Sequence, residues 1–254
     1  MLKAERQDAI TKICTERGTV TVSDVAGELD VSETTVRRDL EELSAVGKVE
    51  RVHGGARSIT GKRGLAIPRE FSHDEKRQIH KAEKQRIARM AASLIRQGDT
   101  IFLGTGTTIE TMTQLLPKGR LRVITNSLPV FNLLEDHDDF DLCLVGGLYR
   151  PHTGAFVGPM AEEAVSSLGI DKAFIGANGI LEHAASTSNM EEGKLQQLVF
   201  DKADMRYLVA DSSKLGKRDF YTFYDLVQVD GLVTDDQVTP EQREVVEQYT
   251  QVIS

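Results

Sequence analysis

Cysteine is almost missing from this 254-residue chain: there are only two, Cys14 and Cys143. Both lie in apolar-patterned segments with no second cysteine or paired histidine nearby, which excludes a disulfide scaffold and predicts two reduced, buried thiols and no metal site. Proline is scarce too, with six residues, and no apolar run approaches the roughly 18 residues that a membrane-spanning helix needs. The start, Met1-Leu-Lys-Ala-Glu-Arg-Gln-Asp, is charged where a signal peptide would be apolar, so the expected compartment is the cytoplasm, with no membrane partner. What is present, 40% hydrophobic and 28% charged residues, excludes a collagen-like or disordered chain. The length suits one large domain, or a large one with a small one.

The net charge of −8 is unevenly spread. Residues 1–63 carry 11 Lys and Arg against 11 Asp and Glu, whereas residues 64–254 carry 20 against 28. All of the acidic excess therefore falls in the larger part. Within the neutral part, residues 43–63 hold Lys48, Arg51, Arg57, Lys62 and Arg63 against Glu50 alone. A basic strip on an acidic chain points to a polyanion-binding end; an ordinary solvated charge run has the same composition.

Residues 3–17 have the spacing of an amphipathic helix, and Gly18 stops it. Thr19 to Val22 reads as a connector, followed by a helix from Ser23 to Leu29. A third helix runs from Glu33 to Val46, with Ser32 as its cap and Val36, Leu40 and Leu43 as its inward stripe. Thr34, Thr35, Arg37 and Arg38 then fall largely outside that stripe. A short helix, a tight turn and a capped helix presenting hydroxyls and arginines suits the major groove. Arginine forks onto guanine or clamps a phosphate, and threonine meets thymine or the backbone. An ordinary three-helix unit whose Arg37 and Arg38 pair with Glu33, Glu41 or Glu42 has the same spacing. The segment after Gly47 favours the first reading: Lys48 to His53 alternates as a strand, Gly54-Gly55 permits a turn, and Ala56 to Ile59 returns, which makes a basic wing.

The run Val31-Ser-Glu-Thr-Thr-Val-Arg-Arg-Asp-Leu40, followed by Gly47 and Arg51-Val-His-Gly-Gly-Ala56, resembles the signature of the DeoR family of bacterial transcriptional regulators. The resemblance implies a winged helix-turn-helix over residues 1–58. Its DNA contacts would be Ser32, Thr34, Thr35, Arg37 and Arg38, with Arg51, His53 and Arg57 on the wing. His53 is read as a hydrogen bonder to backbone or phosphate, the other reading being a catalytic or metal-binding histidine.

Glycines 61 and 64, Pro68 and the lack of apolar periodicity place a linker at 59–71. Residues 72–96 read as one long helix with a basic face. From residue 99 to the end of 72–254 the chain alternates β-rich and helical runs, with strands at 100–103, 122–125, 140–145, 173–175, 207–210 and 231–234. That alternation predicts an α/β domain with a doubly wound, mostly parallel sheet, whose ligands bind beyond the carboxyl ends of the strands.

Gly104-Thr-Gly-Thr-Thr108 follows the first of these strands and leads into a helix. Two glycines admit backbone amides close to an anion and the threonines add donors, so Gly104, Thr105, Gly106, Thr107 and Thr108 form a candidate phosphate cradle. A plain tight turn needing glycine is the alternative. The loop lacks the lysine of a nucleotide P-loop, and a small phosphorylated metabolite fits it better than a nucleotide; no cofactor is expected. Further strand exits supply Asn126, Ser127, Gly147, Asn178 and Lys214, and Arg150 is a second candidate cation.

This half also resembles the family's sensor domain, itself similar to ribose-5-phosphate isomerase, through Leu103-Gly-Thr-Gly-Thr-Thr108 and Val209-Ala-Asp-Ser-Ser-Lys-Leu215. Where the isomerase has Asp-Gly-Ala-Asp, this chain has Ile175-Gly-Ala-Asn178, and an amide cannot act as a general base. The expectation is therefore a sugar-phosphate pocket without the chemistry and no catalytic residue; an isomerase using Glu182, Glu191 or Glu192 is the alternative. Most of the family carries Asp where this chain has Gly104. A narrower resemblance within the family, over Ser72 to Lys76, Ala88 to Ile95, Thr153 to Gly158 and Gly216 to Phe220, implies a ketohexose phosphate effector such as tagatose 6-phosphate, with fructose phosphates as rivals. The overall expectation is a repressor of a sugar-utilisation operon that binds double-stranded operator DNA as a homodimer or homotetramer and is relieved by a phosphorylated sugar.

Overall fold

In the computed structural model, residues 3–17, 19–45, 47–52, 54–58 and 73–254 are described, and the chain divides into two compact units, Met1–Pro68 and Arg69–Ser254. His53 and the expected linker 59–71 lie outside the described residues.

In the first unit the apolar periodicity folds as α1 (Lys3–Arg17), β1 (Thr19–Thr21), α2 (Val22–Leu29), α3 (Glu33–Ala45), β2 (Val49–Val52) and β3 (Gly55–Ser58). The inward stripe of α3, Val36, Leu40 and Leu43, packs in one buried cluster with Ile10, Ile13 and Cys14 of α1 and Val25 of α2. Two expectations are corrected here. The connector at 19–21 is a strand that pairs antiparallel with β3, which turns the two-stranded wing into a three-stranded sheet of order β1-β3-β2. Because that strand runs to Thr21, Thr21 rather than Ser23 caps α2, its hydroxyl accepting from Asp24 N at 3.1 Å. A polar clamp adds to the apolar packing: Arg6 of α1 forks onto the 2% exposed carboxylate of Asp39 on α3, with Nε–Oδ2 at 2.5 Å.

The second unit opens with α4 (His73–Gln78) and α5 (Lys81–Ser93), not with one continuous helix. The break is at His80, whose backbone is left-handed at φ 56°, ψ 42°, so the apolar stripe that reads through in sequence is turned at Ile79-His80. The sheet alternation follows: β4 (Thr100–Leu103), α6 (Thr107–Thr113), β5 (Leu121–Thr125), α7 (Leu128–Leu134), β6 (Phe140–Leu144), the hairpin β7 (Leu148–Arg150) and β8 (Ala155–Val157), α8 (Pro159–Ser166) and β9 (Ile170–Gly176). After it come β10 (Gly179–Leu181), β11 (Ala184–Thr187), α9 (Met190–Lys202), β12 (Ala203–Val209), β13 (Tyr221–Asp225), β14 (Gly231–Val233), α10 (Pro240–Glu247) and β15 (Val252–Ile253). Seven strands form an entirely parallel sheet in the order β15-β14-β12-β9-β4-β5-β6. The strands β10, β11 and β13 form a separate small antiparallel sheet.

The period of two along each strand sorts its side chains between two cores. Ile101, Leu103, Val123, Phe174, Tyr207 and Val233 face a cluster with Ile87 and Ala91 of α5 and Ile109 of α6. Their neighbours Phe102, Ile124, Ile175, Leu208 and Leu232 face the opposite cluster with Val165 of α8 and Leu195 and Val199 of α9. Cys14 is buried as expected, but Cys143 is exposed: it lies on β6, the edge strand of the sheet.

The chain winds outward from β4 through β5 to β6, then returns to β9 on the other side of β4 and winds outward again to β15. The direction reverses between β4 and β9. Such a reversal leaves a crevice beyond the strand ends, because the connections on either side depart to opposite faces.

Candidate functional site

Two places bring the sequence-predicted residues together, one in each unit. In the first, Ser32 caps α3 by accepting from Thr35 N at 3.2 Å, and the two hydroxyls lie 2.8 Å apart. This fixes the first turn of α3 with Ser32, Thr34, Arg37 and Arg38 exposed and Thr35 half-buried. Arg37 pairs with Glu33 at 2.8 Å and Arg38 with Glu42 at 3.6 Å, all four side chains at least 38% exposed. Pairs this exposed contribute little, about 0–1 kcal/mol, and yield readily to a phosphate or a base edge. On the wing, Arg51 donates to Gly55 O at 2.9 Å and Arg57 pairs with Glu50 at 2.6 Å. The hydroxyls and guanidinium groups thus cluster on the first two turns of α3, with two further arginines on the adjoining sheet.

In the second unit, loop 104–108 lies at the reversal between β4 and β9. Gly104 N donates to Phe174 O at 3.0 Å, and a Cβ there would approach that carbonyl to 3.3 Å, so the strand exit leaves no room for a larger residue without a shift. Gly106 adopts φ 126°, a conformation that L side chains rarely take, and turns the backbone into α6. The adjoining crevice is lined by Gly104, Thr105, Asn126, Glu192 and Gln196, with Phe102, Ile175, Leu195 and Val199 beneath, and holds space for about one water.

The other predicted residues divide. Asn126 lines the crevice, its amide nitrogen held by Phe156 O at 2.9 Å. Ser127 is fully buried and caps α7, accepting from Val130 N at 3.3 Å, which is a structural assignment. Gly147 packs against the Val157 carbonyl, which a Cβ would meet at 2.6 Å. Asn178 accepts from Lys76 Nζ at 3.3 Å. Arg150 bonds Glu192 Oε1 at 3.1 Å, so its charge reaches the crevice through that carboxylate.

Lys214 sits in the turn after β12, which Asp211 and Asp235 shape: Asp235 accepts from Ser212 N and Oγ at 2.8 and 2.9 Å. Near it the structure adds a group that sequence reasoning left on a solvated basic face. Lys84 is 7% exposed and donates to the carbonyls of Lys76 and, at 2.7 Å, Ile79. Burial pushes its ammonium below the usual lysine range; the Asp211 carboxylate opposes this, and the charges of Lys214 and Lys76 add to it. Lys84 thus lies within the field of two further ammoniums, Lys214 and Lys76, and of two carboxylates, Asp211 and Glu110. The bend at His80 is what turns Lys84 back onto α4, and no local residue pattern announces it. Likewise Glu110 on α6, 5% exposed, accepts from Arg77 at 3.0 and 2.9 Å and contacts His73, fastening α4 beside the loop. Among the described residues, no group of three or more His, Cys, Asp or Glu is placed to hold a metal ion, and no helix is long and apolar enough to cross a membrane.

Residues 6–62 match the DeoR-like helix-turn-helix domain, and residues 79–236 the DeoR C terminal sensor domain. The lactose phosphotransferase system repressor of Streptococcus mutans serotype c is 40% identical over 256 residues, covering 100% of both chains. That of Lactococcus lactis subsp. lactis is 42% identical over 257 residues, covering 100% of this chain and 99% of its own. Among solved structures, ribose 5-phosphate isomerase A of Methanocaldococcus jannaschii superposes with a TM-score of 0.37, at 20% identity over 52% of each chain. Full-length similarity at this level, with both domain matches in sequence order, shows that the chain belongs to the DeoR family, a transcriptional regulator rather than an enzyme.

Proposed function

We propose that the protein represses an operon for phosphotransferase-imported lactose, as its relatives' names suggest, and leaves its operator when a phosphorylated ketohexose binds the sensor domain. The reading head is residues 1–58 and the sensor 72–254, joined by 59–71. Ser32, Thr34, Thr35, Arg37 and Arg38 meet the major groove, with Arg51, His53 and Arg57 alongside. The phosphate lies against loop 104–108, with Lys214, Lys84 and Lys76 as its cationic side. Tagatose 6-phosphate is the first candidate effector, and fructose phosphates are next. One reading head makes too few contacts for a specific site, so the working form is a homodimer or homotetramer on repeated half-sites.

The observation that carries this reading is the glycine-rich loop 104–108, which leaves β4 at the sheet's reversal and lines a crevice there. Lys84, which also caps the end of α4, feels the charges of Lys214 and Lys76, and a bound dianion compensates them beside Asp211 and Glu110. The test is anisotropy of a labelled operator duplex, selected by the protein from its own upstream DNA, titrated with protein while tagatose 6-phosphate, fructose 6-phosphate or fructose 1-phosphate is varied. One of these is expected to weaken operator binding about 5- to 150-fold. Operator affinity should also fall steeply with added salt through counterion release. Operator binding indifferent to every sugar phosphate rejects the effector half, and a flat salt response rejects the DNA half.

A further inference from the structure

The crevice beside the phosphate loop has an unexpected wall. Opposite Gly104 and Thr105 stands Glu192, in the first turn of α9 and 5% exposed, its Oε1 accepting from Arg150 at 3.1 Å and from the Thr153 hydroxyl. One turn further along α9 is Gln196, whose Oε1 is buried and has no hydrogen-bond partner among the described residues. A buried carboxylate repels a phosphate, so this wall cannot serve the anionic end of a ligand. Carboxylates only accept hydrogen bonds, at about four lone-pair positions, and an orphaned buried amide oxygen needs a donor as well. The crevice therefore has two sides, the backbone of Gly104 and Thr105 at the loop and hydrogen-bond acceptors along α9.

Resting on the reading above, we propose that Glu192 and Gln196 are the specificity-determining residues for the sugar end of the effector, selecting an uncharged polyhydroxy chain attached to a phosphate. Arg150 and Thr153 are positioning residues: both bond Glu192 Oε1 and so fix where its carboxylate stands in the crevice wall. Thr153 already makes the contact that a sugar hydroxyl would make, one hydroxyl donor onto Oε1, so ligand entry exchanges like for like while the crevice widens from its present size. The same wall discriminates against ligands lacking those donors, because acceptors left unpaired in a desolvated site are costly. It discriminates more strongly against a phosphorylated sugar acid, whose carboxylate would face Glu192.

The experiment is calorimetric titration of the full-length protein with tagatose 6-phosphate, 6-phosphogluconate and inorganic phosphate. Wild type is expected to bind the ketohexose phosphate at least about tenfold more tightly than either of the others. Glu192→Gln, which keeps the shape and removes the charge, should lose about tenfold toward the ketohexose phosphate and gain toward 6-phosphogluconate, while binding inorganic phosphate at least as well as before. Gln196→Leu should lose ketohexose phosphate affinity yet still reject 6-phosphogluconate, and it carries the test if Glu192→Gln does not fold. Wild type that binds the ketohexose phosphate while both variants leave all three affinities unchanged overturns this inference alone. Wild type that binds no phosphate compound overturns the sensor reading and this inference with it.

Discussion

Arg37 carries two incompatible duties in isolation, as half of a surface ion pair with Glu33 and as a candidate contact to DNA, and burial decides between them. The guanidinium is 57% and the carboxylate 49% exposed, so the pair stays screened and solvated and adds little to the helix. Arg37→Ala is therefore expected to leave the melting temperature and sugar-phosphate binding as they are and to weaken operator binding by about 1–3 kcal/mol. Glu33→Ala should do neither harm and should tighten operator binding, since it frees the arginine. Anisotropy and thermal melts on the two variants check this, and a falling melting temperature with Glu33→Ala would make the pair structural after all. A residue whose role is purely one of fit is Gly55, opposite Thr21 in the β1–β3 register. A Cβ there would stand 2.0 Å from the Val20 carbonyl oxygen, backbone that cannot move without opening the ladder. Gly55→Ala should destabilise the N-terminal unit by about 1–3 kcal/mol, read by denaturant titration, and abolish operator binding without touching the sensor.

At the scale of elements, α4 shows how a six-residue helix is held in place: too short to be stable alone, it is fastened by charge at its C-terminal end. Glu110 of α6 takes Arg77, and Lys84 of α5 reaches back to the carbonyls of Lys76 and Ile79, where a cation suits the end of a helix. Lys84→Met removes that cap, so amide exchange over 73–78 should quicken while the rest of the sensor keeps its protection. The pH dependence has a definite sign. Burial lowers the folded-state pKa of Lys84 below its unfolded value, so between those two values the unfolded chain binds the extra proton and stability rises with pH. Denaturation of wild type against Lys84→Met, followed as the pH is raised toward the ordinary lysine value of about 10.4, should move in favour of wild type; a difference independent of pH would put Lys84 in solvent. This element also marks the limit of what sequence makes legible. The parallel sheet was readable because buried strands are continuous apolar runs, and α3 because Val36, Leu40 and Leu43 repeat at helical spacing. The left-handed break at His80 was not, because a non-glycine residue in that conformation leaves no compositional mark. Loop 104–108 was readable from its glycines, whereas Lys84, Glu110 and Gln196 are indistinguishable in sequence from surface residues, their roles arising only where separate elements meet. The strand at 19–21 was missed because three residues make no pattern until β3 arrives to pair with them.

At the scale of the whole molecule, the acidic excess of the larger part and the balanced charge of the smaller divide the labour between a domain that tolerates a duplex and one that does not. A sensor that is net negative contributes no attraction to DNA of its own, so its effect on the operator must pass through a change in conformational balance. A ligand shifts such a balance only by its difference in affinity between the two states, and the shift is reciprocal. If tagatose 6-phosphate weakens operator binding by some factor, operator DNA must weaken tagatose 6-phosphate binding by that same factor. Calorimetric titration of the sugar phosphate into the free protein and into its operator complex, beside anisotropy with and without sugar phosphate, measures the two factors independently. They should agree within error, at about 5- to 150-fold, corresponding to about 1–3 kcal/mol of coupling. Disagreement between them would mean that the sugar phosphate alters the assembly state, and a weakening that never saturates as sugar phosphate is raised would mean that it competes at the DNA surface, so that the crevice at the β4–β9 reversal is not where the signal begins.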